Sequence, residues 1–144
     1  MKEKEYEALK LQNQLCFPLY AASREIVKRY HPYLSRLDLT YTQYIVMLVL
    51  WEEKTCSVKT LGERLFLDSG TLTPVLKSLQ QKGYLQKHRS ERDERIVELE
   101  ITEEGMALRE EVKTIPAQLG ACVRLAPEEA KTLYQLLYKI LGTE

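Results

Sequence analysis

The stretch SVKTLGERLFLDSGTLTPVLKSLQQKG, residues 57–83, decides the fold of this chain. Ser57 is a good N-cap, because its hydroxyl can accept from an orphan N–H of a first helical turn. Val58, Leu61 and Leu65 follow at helical spacing on one inner face. After a gap of about three residues, Asp68-Ser69 supplies a second start signal. The helix it opens runs to Gln81 or Lys82, with Leu72, Val75, Leu76 and Leu79 inward and Gly83 closing it. Pro74 falls in the first turn of that helix or just after it, where proline is better tolerated. Two short helices joined by so tight a turn read as a helix-turn-helix.

The residues that follow sharpen this reading. Tyr84–His88 reads as a strand, Arg89–Glu94 as a polar turn and Arg95–Thr102 as a returning strand. In the return, Val97, Leu99 and Ile101 alternate with Glu98 and Glu100, the period of a half-buried strand. A hairpin tipped with Arg89, Arg92 and Arg95 after two helices is a wing, and arginine at its tip suits a minor groove. The expected fold is mainly α with a small β-hairpin wing: a winged helix-turn-helix over about residues 54–102.

Upstream, the periodicity predicts one amphipathic helix over about residues 8–30, carrying Leu11, Leu15, Leu19, Val27 and Tyr30. Pro18 within it is expected to kink it or shift its start, and Pro32 to end it. A short helical turn is expected around Tyr33–Leu37. Thr42–Glu52 is apolar nearly all round, as a central buried helix should be. Downstream, Thr102 caps a predicted helix over Glu103–Leu119. Pro127 opens a last one, with Leu133, Leu136, Leu137, Ile140 and Leu141 in one stripe. The outer helices (about 8–37 and 103–144) are too long and apolar to bury against so small a middle. Pairing across a two-fold axis would cover them, making a single-domain homodimer with two recognition helices about 34 Å apart, the spacing of a palindromic site.

Charge supports a nucleic-acid partner. The whole chain is neutral, with 21 basic and 21 acidic residues, yet these are unevenly spread. Residues 54–97 hold nine Lys/Arg against five Asp/Glu, a balance of +4, and residues 98–144 hold five against nine, −4. The basic excess thus coincides with the winged segment. Other classes fit poorly. No nucleophile–base–orienter set argues for an enzyme, and no cofactor motif is present. Two isolated histidines and three widely spaced cysteines argue against a metal centre. No apolar run approaches the roughly 18 residues of a membrane span, and residues 1–6 lack a signal-peptide core, so a cytoplasmic protein is expected. His31 and His88 are expected at the surface, His88 near enough to Lys87 and Arg89 to add a phosphate contact. Trp51 and Met47 are expected in the core, and Cys56 in a structural role.

The run Leu61–Pro74, LGERLFLDSGTLTP, followed by Asp93-Glu94-Arg95, resembles the MarR family of transcriptional regulators. LQNQLCF at 11–17 and LTYTQY at 39–44 resemble its organic hydroperoxide resistance regulators. The resemblance runs from about residue 9 to 119, and more loosely to the end. It implies a homodimeric repressor whose reduced form holds double-stranded, pseudo-palindromic operator DNA, and which oxidation of an N-terminal cysteine by an organic hydroperoxide releases. Cys16 stands at the family's reactive cysteine. Tyr20, Tyr30 and Tyr41 match the tyrosines around that sulfur, the latter two supplied by the partner subunit. Ser69, Thr71, Thr73, Pro74 and Lys77 lie along the recognition helix, with Asp93 and Arg95 at the wing tip.

Chemistry agrees with these roles. Short hydroxyls and a lysine near a helix start suit phosphate and base-edge contacts. Asp93 can aim the Arg95 guanidinium, and phenol donors around Cys16 would favour the thiolate that peroxide oxidises. Pro18 departs from the family, replacing an aliphatic residue two positions after the sensor. Cys122 lies where some members carry a resolving cysteine; otherwise a small thiol caps the oxidised Cys16. The alternative within the same fold is release by a small aromatic ligand in the dimer cleft, with Cys16 incidental.

Overall fold

The computed structural model describes residues 2–143. In chain order these form α1 (Lys2–Glu5), two 3-10 turns (Glu7–Leu9 and Leu11–Asn13), α2 (Cys16–Leu34), a 3-10 turn (Ser35–Leu37) and α3 (Tyr41–Glu53). There follow β1 (Thr55–Ser57), α4 (Val58–Leu65), α5 (Ser69–Gln81), β2 (Leu85–Arg89), β3 (Val97–Ile101) and α6 (Glu103–Val112). The chain ends with α7 (Ile115–Cys122) and α8 (Pro127–Ile140). It divides into two compact bodies, one up to Lys113 and one from Thr114 onward.

In the first body the caps set the boundaries. Thr40 closes a capping box on α3, accepting from Gln43 N–H at 3.1 Å while Gln43 Oε1 accepts from Thr40 N–H at 3.1 Å. Ser57 Oγ caps α4 through Thr60 N–H at 3.0 Å, Asp68 Oδ1 caps α5 through Thr71 N–H at 2.7 Å, and Thr102 Oγ1 caps α6 through Gly105 N–H at 3.0 Å. Helix α3 runs through the middle and buries Val46, Met47, Leu50 and Trp51. Leu34 and Leu39 are buried as well, as are Leu61 of α4, Leu72, Leu76 and Leu79 of α5, and Leu85 and Leu99 of the sheet.

The winged helix-turn-helix stands as the sequence predicts, with boundary shifts of a residue or two. The turn between α4 and α5 is tight because Gly62 has no side chain. A Cβ there would lie 2.8 Å from the Leu67 carbonyl oxygen, and Leu67 N–H bonds back to Gly62 O at 3.0 Å. Phe66 takes the left-handed conformation at φ 56°, turning the chain toward α5. Gly83, at φ 84°, ends α5 as expected.

Three expectations need correction. The N-terminal helix does not span 8–30 but begins at Cys16. Pro18 is its third residue, where the N–H would be an orphan anyway, so proline is accommodated by moving the helix start. Pro32 does not end the helix: it removes one bond, Ser35 N–H still reaches the His31 carbonyl, and the stop comes at Asp38 in the left-handed conformation, φ 54°. The predicted helix over Glu103–Leu119 is two helices, α6 and α7. Pro116 sits in the first turn of α7 and cannot donate to the Val112 carbonyl, which breaks the ladder there. The sheet also has a strand beyond the hairpin. β1 pairs antiparallel with β3, Cys56 opposite Leu99, giving the order β1-β3-β2. At three residues β1 is too short to show a period.

In the second body, α7 buries Ile115 and Leu119, while α8 buries none of its side chains. Leu133, Leu136, Ile140 and Leu141 of its predicted stripe are exposed. Tyr134 and Tyr138 stack on its surface with centroids 4.7 Å apart.

Candidate DNA-binding surface and thiol site

Helix α5 is amphipathic in the sense a recognition helix requires. Leu72, Leu76 and Leu79 anchor its inner face, which leaves Ser69, Thr71, Thr73, Pro74 and Lys77 exposed on the other. The Thr73 hydroxyl donates to the Ser69 carbonyl at 2.7 Å, so toward a ligand it offers lone pairs and a methyl group. Pro74, the sixth residue of α5, cannot donate to the Gly70 carbonyl. The Asp68 carboxylate holds the Thr71 N–H, and these hydrogen bonds keep its carboxyl below the usual range. The start of α5 is therefore already capped by an anion, which leaves the side chains along the exposed face as the groups that could meet a ligand.

The wing is a tied loop. Ser90 N–H bonds to Ile96 O at 2.8 Å, and Arg92 N–H to Ser90 Oγ at 3.2 Å. Asp93 takes three bonds from Arg95: the backbone N–H at 3.0 Å, Nε at 3.1 Å and Nη2 at 3.2 Å. The guanidinium beside it holds the Asp93 carboxyl below its ordinary value. Arg95 is thus oriented by a forked pair while its side chain stays 90% exposed. Arg92 is exposed at the same tip. Arg89 lies in β2, and its Nη1 donates to the Glu94 carbonyl at 3.0 Å, so it braces the loop from below.

Cys16 is the first residue of α2 and is exposed. Tyr20 lies one turn on, also exposed, with its ring under Arg24 at 5.5 Å and its hydroxyl accepting from Arg24 Nη1 at 3.4 Å. Tyr30 and Tyr41 come together, their centroids 4.9 Å apart. Tyr44 completes the cluster at 5.5 and 6.0 Å from them. Burial pushes all three phenols up, Tyr44 to about 12, so they stay protonated donors at neutral pH. Sequence reasoning missed Tyr44, which reads as one more apolar position of α3; its i,i+3 spacing from Tyr41 was the available signal. Within one chain the sulfur and this cluster stand apart: Cys16 and Tyr30 are separated along α2 by about 21 Å at 1.5 Å per residue.

Cys122 ends α7 and is exposed. Cys56 is half-buried in β1. Burial, and then the Glu53 carboxylate, push its thiol up against the opposing pull of Arg64, which suits an inert structural cysteine. Among the described residues no cluster of His, Cys, Asp and Glu could hold a metal ion, and no helix is long and apolar enough to cross a membrane.

A family profile described as "Transcriptional regulator SarA/Rot" matches residues 28–112. The organic hydroperoxide resistance transcriptional regulator of Bacillus subtilis is 47% identical over 141 residues, 98% of this chain and 96% of that one. The structure of reduced AbfR bound to DNA, a protein of Staphylococcus epidermidis, superposes with a TM-score of 0.79 at 34% identity, covering 97% of both chains. Its disulfide-formed structure gives 0.67 at 33% identity, covering 98% of this chain and 99% of that one. A mutant MarR from E. coli, complexed with operator DNA, gives 0.74 at 26% identity, covering 89% of this chain and 99% of that one. The winged helix-turn-helix core and this match over nearly the whole chain place it among the MarR-type transcriptional regulators, in the group of the organic hydroperoxide resistance regulators.

Proposed function

We propose that this protein is a cytoplasmic homodimeric repressor, holding a pseudo-palindromic operator when reduced and leaving it when an organic hydroperoxide oxidises Cys16. The observation that carries the reading is an exposed thiol at the head of α2, in a chain 47% identical to an organic hydroperoxide resistance regulator. The apolar stripe of α8 supports the dimer, since a second copy would take it out of water. The distance along α2 between Cys16 and the tyrosine cluster supports it too. Tyr30 and Tyr41 would reach a sulfur across a two-fold axis rather than within their own chain, with Tyr20 beside it.

On DNA, α5 would lie in the major groove. Ser69, Thr71, Thr73, Pro74 and Lys77 would meet base edges and phosphates, with Arg95 and Arg92 in the flanking minor groove. Arg89 would contribute by holding the wing in shape. In the oxidation step the Cys16 thiolate attacks the outer oxygen of ROOH. The O–O bond breaks, the outer oxygen stays on sulfur with its hydrogen as a sulfenic acid, and the alkoxide leaves and takes a proton from water to become ROH. A thiol then condenses with it, releasing water and forming a disulfide; Cys122 of the partner subunit is one candidate donor and a small cellular thiol the other.

The test is fluorescence anisotropy of the reduced protein on its own upstream DNA at a stated salt concentration, before and after one equivalent of organic hydroperoxide. Wild type should dissociate and Cys16→Ser should stay bound. Cys122→Ser decides the resolving thiol: a release that needs Cys122 identifies it, and an unaltered one assigns the step to a small thiol. Operator binding indifferent to peroxide in wild type would sink the redox reading.

A further inference from the structure

Gln43 is a buried polar side chain in the first turn of α3, and its carboxamide is shared between two helices. Besides the capping-box bond to Thr40, Oε1 accepts from Lys82 Nζ at 3.0 Å and Nε2 donates to Ser78 Oγ at 2.9 Å. Ser78 belongs to the last turns of α5, and Lys82 is its C-cap. The Lys82 ammonium also donates to the Asp38 carbonyl and lies 3.6 Å from Asp38 Oδ2. The start of α3 is therefore fastened to the end of α5. Two residues before Gln43, Tyr41 opens α3 and packs on Tyr30 of α2.

We infer that Gln43 is a positioning residue that passes displacements at Tyr41 to helix α5. The capping box and the clasp use the same carboxamide oxygen, so the first turn of α3 cannot shift without moving Gln43. Gln43 is buried, so it cannot leave α5 without losing the partner of its own amide N–H, a loss that favours moving the helix as a unit. The leverage is geometric. Ser69 lies about 13 Å along α5 from Ser78, so a tilt of ~5° about the clasp shifts Ser69 by about 1 Å, enough to spoil a base-edge hydrogen bond.

The inference deepens the proposed function, and rests on it for α5 as the reading helix. It is tested on reduced protein by a thermodynamic cycle of Tyr41→Ala against the pair Ser78→Ala/Lys82→Met, read as operator affinity. Ser78→Ala and Lys82→Met together cut both side-chain links from Gln43 to α5 and leave the Thr40–Gln43 box intact. Tyr41→Ala should weaken binding about 10-fold with Ser78 and Lys82 present and less than about 2-fold in the Ser78→Ala/Lys82→Met background, and Ser78→Thr with Lys82 retained should keep the response. Effects that multiply independently would overturn the inference. A merely structural serine would lower the unfolding midpoint and weaken binding equally with either residue at 41. If Tyr41→Ala fails to fold, Tyr41→Leu takes its place.

The same cycle read as hydrogen exchange of α5 amides needs no DNA, so it decides the clasp even where operator binding fails. Wild type with hydroperoxide, run alongside, reports the redox reading separately.

Discussion

Replacing Gly105 by alanine should be among the most damaging single-methyl changes in the protein. Gly105 is the third residue of α6 and buried, and its backbone ties three elements together. Its N–H satisfies the Thr102 cap, and its carbonyl accepts the Trp51 indole N–H at 2.8 Å. A Cβ at this position would lie 2.3 Å from the Tyr84 carbonyl oxygen and 2.8 Å from Ile101 Cγ1. Ordinary carbon–oxygen contacts begin near roughly 3.3 Å, so α6 must retreat by about 1 Å.

That retreat pulls on the Trp51 bond and on Thr102 N–H, which bonds to the same Tyr84 carbonyl at 3.1 Å. Overpacking costs about 1–3 kcal/mol and an unsatisfied buried indole N–H about 1–3 kcal/mol, while the better helix propensity of alanine returns at most about 1 kcal/mol. The net loss is about 1–5 kcal/mol, a large share of the ~5–15 kcal/mol typical of a domain. Urea unfolding at fixed protein concentration, followed by the emission of Trp51, the chain's single tryptophan, reads both the stability and the broken bond. Gly120→Ala is the control, since its Cβ would meet nothing within 4 Å. If Gly105→Ala unfolds at the wild-type midpoint with unchanged emission, the close-packing argument is wrong.

Further outcomes follow from single sites. Asp93→Ala removes an anion from the wing tip, yet on the proposed reading operator affinity should fall because Arg95 loses its aim; a gain in affinity at low salt would show that charge outweighs orientation there. Lys54 is exposed at φ 64°, ψ −39°, a costly conformation for an L residue, so Lys54→Gly should raise the melting temperature by a few degrees (about 1 kcal/mol), and a drop would refute the strain. With a pKa raised from 10.0 to about 12, folded Tyr44 keeps a proton that the unfolded chain sheds, so stability should hold below pH 10 and decline from pH 10 to 12. Tyr44→Phe should flatten that decline, and an unchanged slope would assign it to other groups.

What the sequence determined by itself is the part of the molecule governed by local rules. Caps at Ser57, Asp68 and Thr102, the left-handed glycine at Gly83 and the alternation of Val97, Leu99 and Ile101 act within a few residues, so α4, α5 and the hairpin could be read directly. Which side chains of α5 are exposed followed as well, because its inward leucines dictate which residues face out. Two of the prolines were harder to read, since the same ring is tolerated in a first turn and disruptive deeper in: Pro32 did not end α2, and Pro116 split a predicted helix. Only the tertiary structure decided what depends on partners distant in sequence. Strand β1 exists because β3 lies beside it. Tyr44 joins Tyr30 and Tyr41 because α2 packs on α3. Gln43 meets Ser78 and Lys82 across 35 and 39 residues. A hydrogen bond or ring contact of that kind leaves no period in the chain, since its geometry is set by how whole helices pack.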